Sequence, residues 1–219
     1  NMKIITALVV TLGFASTSSL ANSKKDLFNE VAIETDLTLS HPVYPIDLLP
    51  NPGKELMLIG THSGQQYIDI FAASEAQLYN RIKRVKVPDT MLGVDFTKWQ
   101  DATQQVYLFS SNGIYQLALE GPEFVVAVVE TQTYLKKSGA QHLSKMEFVY
   151  NINDDQKADF FTTDLNHSYV HISDETGYQM AKVDLPARLE VEGHSAEIEP
   201  PRFAFFDTNE DNISELIGF

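Results

Sequence analysis

A short acidic loop occurs twice in the C-terminal half of this chain. One copy places Asn151, Asn153, Asp155 and Asp159 ahead of Phe160; the other places Asp207, Asn209, Asp211 and Glu215 ahead of Leu216. Each copy puts side-chain oxygen at loop positions 1, 3, 5 and 9 and an apolar residue at 10, and the two begin 56 residues apart, at 151 and 207. A loop of fixed chemistry recurring at that interval predicts a repeat architecture, with one supersecondary unit per repeat.

The units extend toward the N-terminus. Leu56 and Val106 stand where Phe160 and Leu216 stand later, each after a loop-like stretch, 47–55 and 95–105. In the third unit, 146–150 leads into the loop and 160–163 leaves it; turns at Asn166-His167-Ser168 and at 174–177 then separate strands at 169–172 and 178–185. The second unit predicts strands at 106–109, 114–119 and 124–131, with turns at Asn112-Gly113 and Glu120-Gly121-Pro122. Asn-Gly between apolar runs is a strong hairpin signal because both residues accept positive φ. The first unit predicts strands at 56–59, 67–71 and 79–87, with a turn at His62-Ser63-Gly64. Ser74–Lys86 also has a helix-start pattern, but its alignment with 178–186 favours strand. A short helix at 23–32, or a strand at 31–39 pairing with the far end of the protein, is expected ahead of the first unit.

Four short strands in about 50 residues describe a propeller blade. The expected fold class is all-β, a partial β-propeller with blades at 42–90, 91–145 and 146–200 and the start of a fourth at 201–219. A blade that stops after its loop leaves an open sheet edge, so the chain is expected to be the N-terminal part of a longer protein. Residues 1–21 read as a signal peptide: Lys3, an apolar run from Ile4 to Phe14, and small residues Ser19 and Ala21 ahead of a cleavage site at Asn22. The run is too short to span a bilayer. No transmembrane segment is expected after its removal, the segment 22–41 precedes the first blade, and the destination is periplasmic or extracellular. There is no cysteine, so an exported chain of this kind needs a staple other than a disulfide. The formal net charge of −14 argues against nucleic acid or an anionic membrane as partner and suits a protein that gathers divalent cations.

Calcium takes six to eight oxygens at about 2.3–2.6 Å in tolerant geometry. Side chains at positions 1, 3 and 5, a carbonyl at 7 (Lys157 or Ile213) and a carboxylate at 9 supply such a shell. The second loop has three carboxylates and the first two, so the 207 loop is expected to bind more tightly. An EF-hand needs Glu at position 12, which here is Thr162 or Gly218, and helical flanks.

The two loops resemble those of FG-GAP/VCBS-type repeats, which build integrin-alpha-like β-propellers. The family loop reads Asp-x-Asp/Asn-x-Asp-Gly-x-x-Asp-apolar between the first two strands of a blade. The resemblance implies metal roles for Asn151, Asn153, Asp155 and Asp159, and for Asp207, Asn209, Asp211 and Glu215, with Ca2+ as the cofactor. Position 6, usually Gly, is Gln156 in one loop and Asn212 in the other, and position 1 of the first loop is Asn. The stretches 47–55 and 95–105 depart further and read as loops that have lost the metal.

Nothing else forms a catalytic constellation. His41, His62, His142, His167, His171 and His194 make no HExxH pair, and His167 and His171 lie about 13 Å apart if on one strand. The basic run Arg81–Lys86 reads as a solvated outer strand, and Trp99 as a packing residue in a loop. The expected function is therefore an exported calcium-binding scaffold for binding or adhesion, with an extracellular protein or glycan as partner. The competing reading is an accessory propeller of a secreted hydrolase or other enzyme whose catalytic part lies beyond residue 219.

Overall fold

The computed structural model describes residues 3–9, 29–50, 53–74, 78–98, 103–119, 125–130, 133, 135, 143–163, 167–184, 188–191, 194–197, 203–209 and 214–218. Among them the regular structure is all β-strand, without helix. The chain divides into two compact units, Asn1–Val87 and Pro88–Phe219.

In the first unit, β1 (Lys3–Val9) pairs antiparallel with β2 (Asn29–Thr35), from Lys3↔Thr35 to Val9↔Asn29. Part of the expected signal peptide is thus a strand here, while its cleavage site lies outside the described residues. β3 (Thr38–Leu39) and β4 (Tyr44–Ile46) both pair with β5 (Glu55–His62), which leads through β6 (Gln65–Ala73) to β7 (Tyr79–Lys86). β2 and β3 therefore join β1 and β5 rather than the far end of the protein. Local pairing closes shorter loops and costs less chain entropy. The stretch 79–86 is strand, not helix. β5 is apolar along most of its length because both faces are covered. Leu56 and Leu58 pack with Phe71, Ile33 and Leu37 on one side, while Met57 and Ile59 alternate with them and are also buried. The turn into β6 has Ser63 at φ 50° and Gly64 at φ 80°, the left-handed pair of a type I′ hairpin.

The basic strand β7 is the outer edge of its sheet, as expected. Arg84 donates from Nε and Nη2 to the fully buried Asp69, each at 2.7 Å. The same guanidinium holds Asp36 well below the usual carboxylate range. Arg81 reaches both carboxylates at 3.4 Å. These arginines fasten the β2–β3 corner onto the sheet.

The second unit opens with β8 (Met91–Phe96), β9 (Val106–Ser110), β10 (Gly113–Leu117) and β11 (Val125–Val129) in sequential antiparallel order. The Asn112-Gly113 expectation shifts by a residue. Ser110 pairs with Gly113 across Ser111-Asn112, and neither Asn112 nor Gly113 has positive φ. Gly113 is required for room instead, since a Cβ there would lie 2.8 Å from the Val129 carbonyl oxygen. The turn expected at 120–122 lies outside the described residues. β12 (Ser144–Lys145) returns parallel to β8, an addition the periodicity did not announce.

β13 (Val149–Tyr150), β14 (Asp159–Thr163), β15 (His167–Ser173) and β16 (Tyr178–Asp184) form the next four-stranded meander. β13 is shorter than the expected 146–150 because the preceding amides are taken by the previous sheet: Met146 N donates to Val94 O, and Phe148 N to Asp95. Asp174 closes the β15–β16 turn by accepting from the amides of Thr176 and Gly177 at 2.6 and 2.8 Å. β17 (Arg188–Val191) and β18 (His194–Glu197) make a separate hairpin not foreseen in the blade plan. β19 (Phe203–Phe206) and β20 (Glu215–Gly218) make the last antiparallel pair.

Alternation along β14 decides how these sheets stack, because consecutive side chains leave a strand on opposite faces. Phe160 meets Tyr107 and Phe109 of the preceding sheet, at ring-centroid distances of 4.9 and 6.1 Å. Phe161 points the other way and meets Phe205 of the following pair at 5.5 Å. Meander sheets stacked face to face on both sides are what blades of a partial propeller require. No helix among the described residues is long and apolar enough to cross a membrane.

Candidate functional site

The two acidic loops occupy equivalent positions. The first joins β13 to β14 with Tyr150 paired to Asp159; the second joins β19 to β20 with Phe206 paired to Glu215. Each spans eight residues between its paired ends. The loop between β4 and β5 has the same length and the same closing pair, Ile46↔Glu55. All three share one hydrogen bond. The carboxylate at position 9 accepts from the backbone N–H at position 2: Ile152 to Asp159 at 2.6 Å, Thr208 to Glu215 at 2.7 Å, and Leu48 to Glu55 at 2.8 Å. The position-9 residue is thus a latch that fixes the loop, including in the loop read as having lost its metal. The loop between β8 and β9 is one residue longer. There the Thr97 hydroxyl accepts from Gln105 N at 2.9 Å instead.

In the 151 loop, Asp159 is fully buried and both its oxygens are engaged, Oδ2 by Ile152 N and Oδ1 by Ser173 N at 2.7 Å. Asp155 accepts from Lys157 N at 2.8 Å and from the Ser173 hydroxyl at 3.0 Å. Asn153 donates to the Ser173 carbonyl at 3.1 Å and accepts from Asp155 N at 3.3 Å. Three of the four expected donors therefore gather around Ser173, at the end of β15. No spacing rule pointed to Ser173; only the β14–β15 pairing brings it there. Asn151 sits at the loop mouth. Its Nδ2 donates to Asp154 at 3.4 Å, and its Oδ1 is buried without a hydrogen-bond partner among the described residues.

The turn is tight. Asp154 has φ 56° and Gln156 has φ 62°, so position 6 adopts the left-handed backbone that the motif's usual glycine serves. An L-residue there costs about 1–2 kcal/mol, partly offset by the extra chain entropy a glycine must lose. Gln156→Gly is therefore expected to stabilise the protein by about 0.5–1 kcal/mol in urea denaturation. An unchanged or lower midpoint would place the strain elsewhere.

The second loop is described in part. Asp207 and Asn209 are exposed, and Glu215 is half-buried with the Thr208 hydroxyl and amide on its Oε2, which lowers its pKa. Asp211 lies outside the described residues. Ser214 N donates to Ile152 O at 2.8 Å, so the two loops lie side by side.

Among the described residues no three acidic or histidine side chains converge on one point. The 151 loop offers two carboxylates and two amides, all hard oxygen donors of the class calcium takes. A carboxylate oxygen carrying one N–H bond keeps a second lone pair. The buried Asn151 Oδ1 has no hydrogen-bond partner among the described residues. These residues fit a hard divalent cation. His171 is buried in β15 and belongs to no group of three or more histidine or acidic side chains among the described residues, while His142 and Trp99 lie outside them. Comparison with protein-family models, with curated proteins and with solved structures finds no match.

Proposed function

We propose that this chain is a calcium-stabilised, propeller-type repeat protein of the FG-GAP/VCBS kind, exported from the cell and used as a scaffold for binding an extracellular protein or glycan. The observation that carries the reading is the shared corner: loops of equal length, closed by the same pair and latched by the same bond, with hard oxygen donors at alternate positions. A cation there would neutralise crowded carboxylates in a chain of net charge −14 and fix the turn between two strands. Asn151, Asn153 and Asp155 would hold it, with Asp159 shaping the loop. Asp207, Asn209 and Asp211 would hold it in the next corner, with Glu215 shaping that loop. Loops are where a rigid scaffold presents its recognition surface.

Thermal unfolding with and without calcium tests this. A site of Kd about 10⁻⁴–10⁻³ M at about 10 mM calcium contributes about 1.4–2.7 kcal/mol, or roughly 3–10 °C in Tm for a domain of this size. EDTA should remove the gain. Asp155→Ala and Asp211→Ala should each remove part of it, and together most of it. Equal Tm values in calcium and EDTA would reject the reading.

A further inference from the structure

Aligned on their loops, the first, second and third sheets bury the same two positions next to the loop, and the residue types there differ in one of them. The second residue beyond the strand-opening apolar position is Leu58 in the first sheet and Leu108 in the second. Opposite the opening residue stands Phe71, paired with Leu56, and Leu117, next in register toward Val106. All four side chains are apolar and at most 6% exposed. In the third sheet the same two positions are Thr162 and His171, with His171 paired to Phe160. They are 0% and 1% exposed. Both lie on the Phe160 face, since Thr162 is two residues along β14 and His171 is opposite Phe160. Two neighbouring apolar positions have become polar together, in one sheet of three.

Thr162 Oγ1 and both ring nitrogens of His171 have no hydrogen-bond partner among the described residues. A neutral imidazole needs one donor and one acceptor for its two nitrogens, and the hydroxyl can serve as either. Buried polar atoms in folded proteins find a protein or water partner almost without exception. Thr and His together fill less space than the leucine and aromatic residues of the sister sheets. The two side chains are therefore polar and smaller than their counterparts, which favours an internal water over a dry apolar contact.

We infer that Thr162 and His171 form a buried hydration site, in which internal water bridges the threonine hydroxyl and the imidazole inside the third sheet's face. This site is separate from the acidic loops and does not depend on their cation. It sets the third sheet apart from its sisters by an exchangeable guest where they place apolar side chains.

The test is a high-resolution crystal structure of the full chain, with water–protein cross-relaxation measured in solution. The expected result is a water oxygen within hydrogen-bond distance of Thr162 Oγ1 and of a His171 ring nitrogen, with residence long enough to give a cross-peak. An imidazole bonded directly to a protein group, or a face without solvent density, would overturn the inference. Thr162→Val, His171→Leu and the double variant give a second readout from their unfolding midpoints. If one water serves both groups, the double variant should lose no more than the worse single variant. Strictly additive losses would contradict a shared site.

Discussion

Asp95→Ala is expected to destabilise the second unit by about 3–5 kcal/mol, the usual cost of removing one partner from a buried charged network. Asp95 is fully buried at the end of β8. Its Oδ2 accepts from the amides of Phe148 and Val149 at 2.7 and 2.9 Å, and its Oδ1 accepts from the Lys145 ammonium. One carboxylate thus ties the second sheet to the strand that opens the third. Alanine leaves two amides and a partly buried ammonium without that acceptor. Among the described residues Lys145 keeps the Met146 carbonyl, at 2.6 Å, and the face of the Phe96 ring. Asp95→Asn keeps one acceptor and should cost less. Urea denaturation reads both, and a loss under about 1 kcal/mol for alanine, the level of an exposed ion pair, would show that the contact is idle. Because β13 leads straight into the 151 loop, the alanine variant should also weaken any calcium response of that loop.

Acidification should cost the protein a comparable amount through His171. Burial holds its pKa down at about 4 against an ordinary 6.5. Above pH 6.5 the imidazole is neutral in both states and the difference vanishes. Between 6.5 and about 4 the unfolded chain binds the proton and the folded chain does not, so stability falls as pH falls. Below about 4 both states are protonated and the loss levels off. One pKa unit is worth 1.36 kcal/mol, so the full loss is about 3 kcal/mol, or roughly 6–12 °C in Tm. His171→Leu should flatten the profile in that window. Asp174, which its turn hydrogen bonds hold at about pKa 2, acts at lower pH and leaves the window clean. A variant that keeps the wild-type slope would assign the loss to other groups.

Much of this architecture was legible because it is written in local patterns. The adjacent aromatic residues Phe160 and Phe161 are what a strand covered on both faces needs. The turn residues at 62–64 and 174–177 mark hairpin ends, and the recurring loop sets the unit length. What was not legible depends on partners far along the chain. The role of Asp159 depends on Ser173, fourteen residues away across a strand pairing. Glu55 looked like a relic because its loop has lost the alternate donors, yet it keeps the latch. Asp95 looked like a loop residue because nothing near it in sequence shows that residues 145–149 return to it. The parallel return of β12 and the β17–β18 hairpin have no periodic signature at their lengths. No spacing rule singles out His171, whose distinction appears only when its position is compared with Phe71 and Leu117.

The most direct test of the shared metal-binding corner is calorimetric titration of the metal-free chain with Ca2+, with Mg2+ run beside it. The account predicts saturable binding of calcium at up to two sites, Kd about 10⁻⁴–10⁻³ M, weaker or absent for magnesium, and reduced by Asp155→Ala. A flat calcium titration of a folded chain would contradict it.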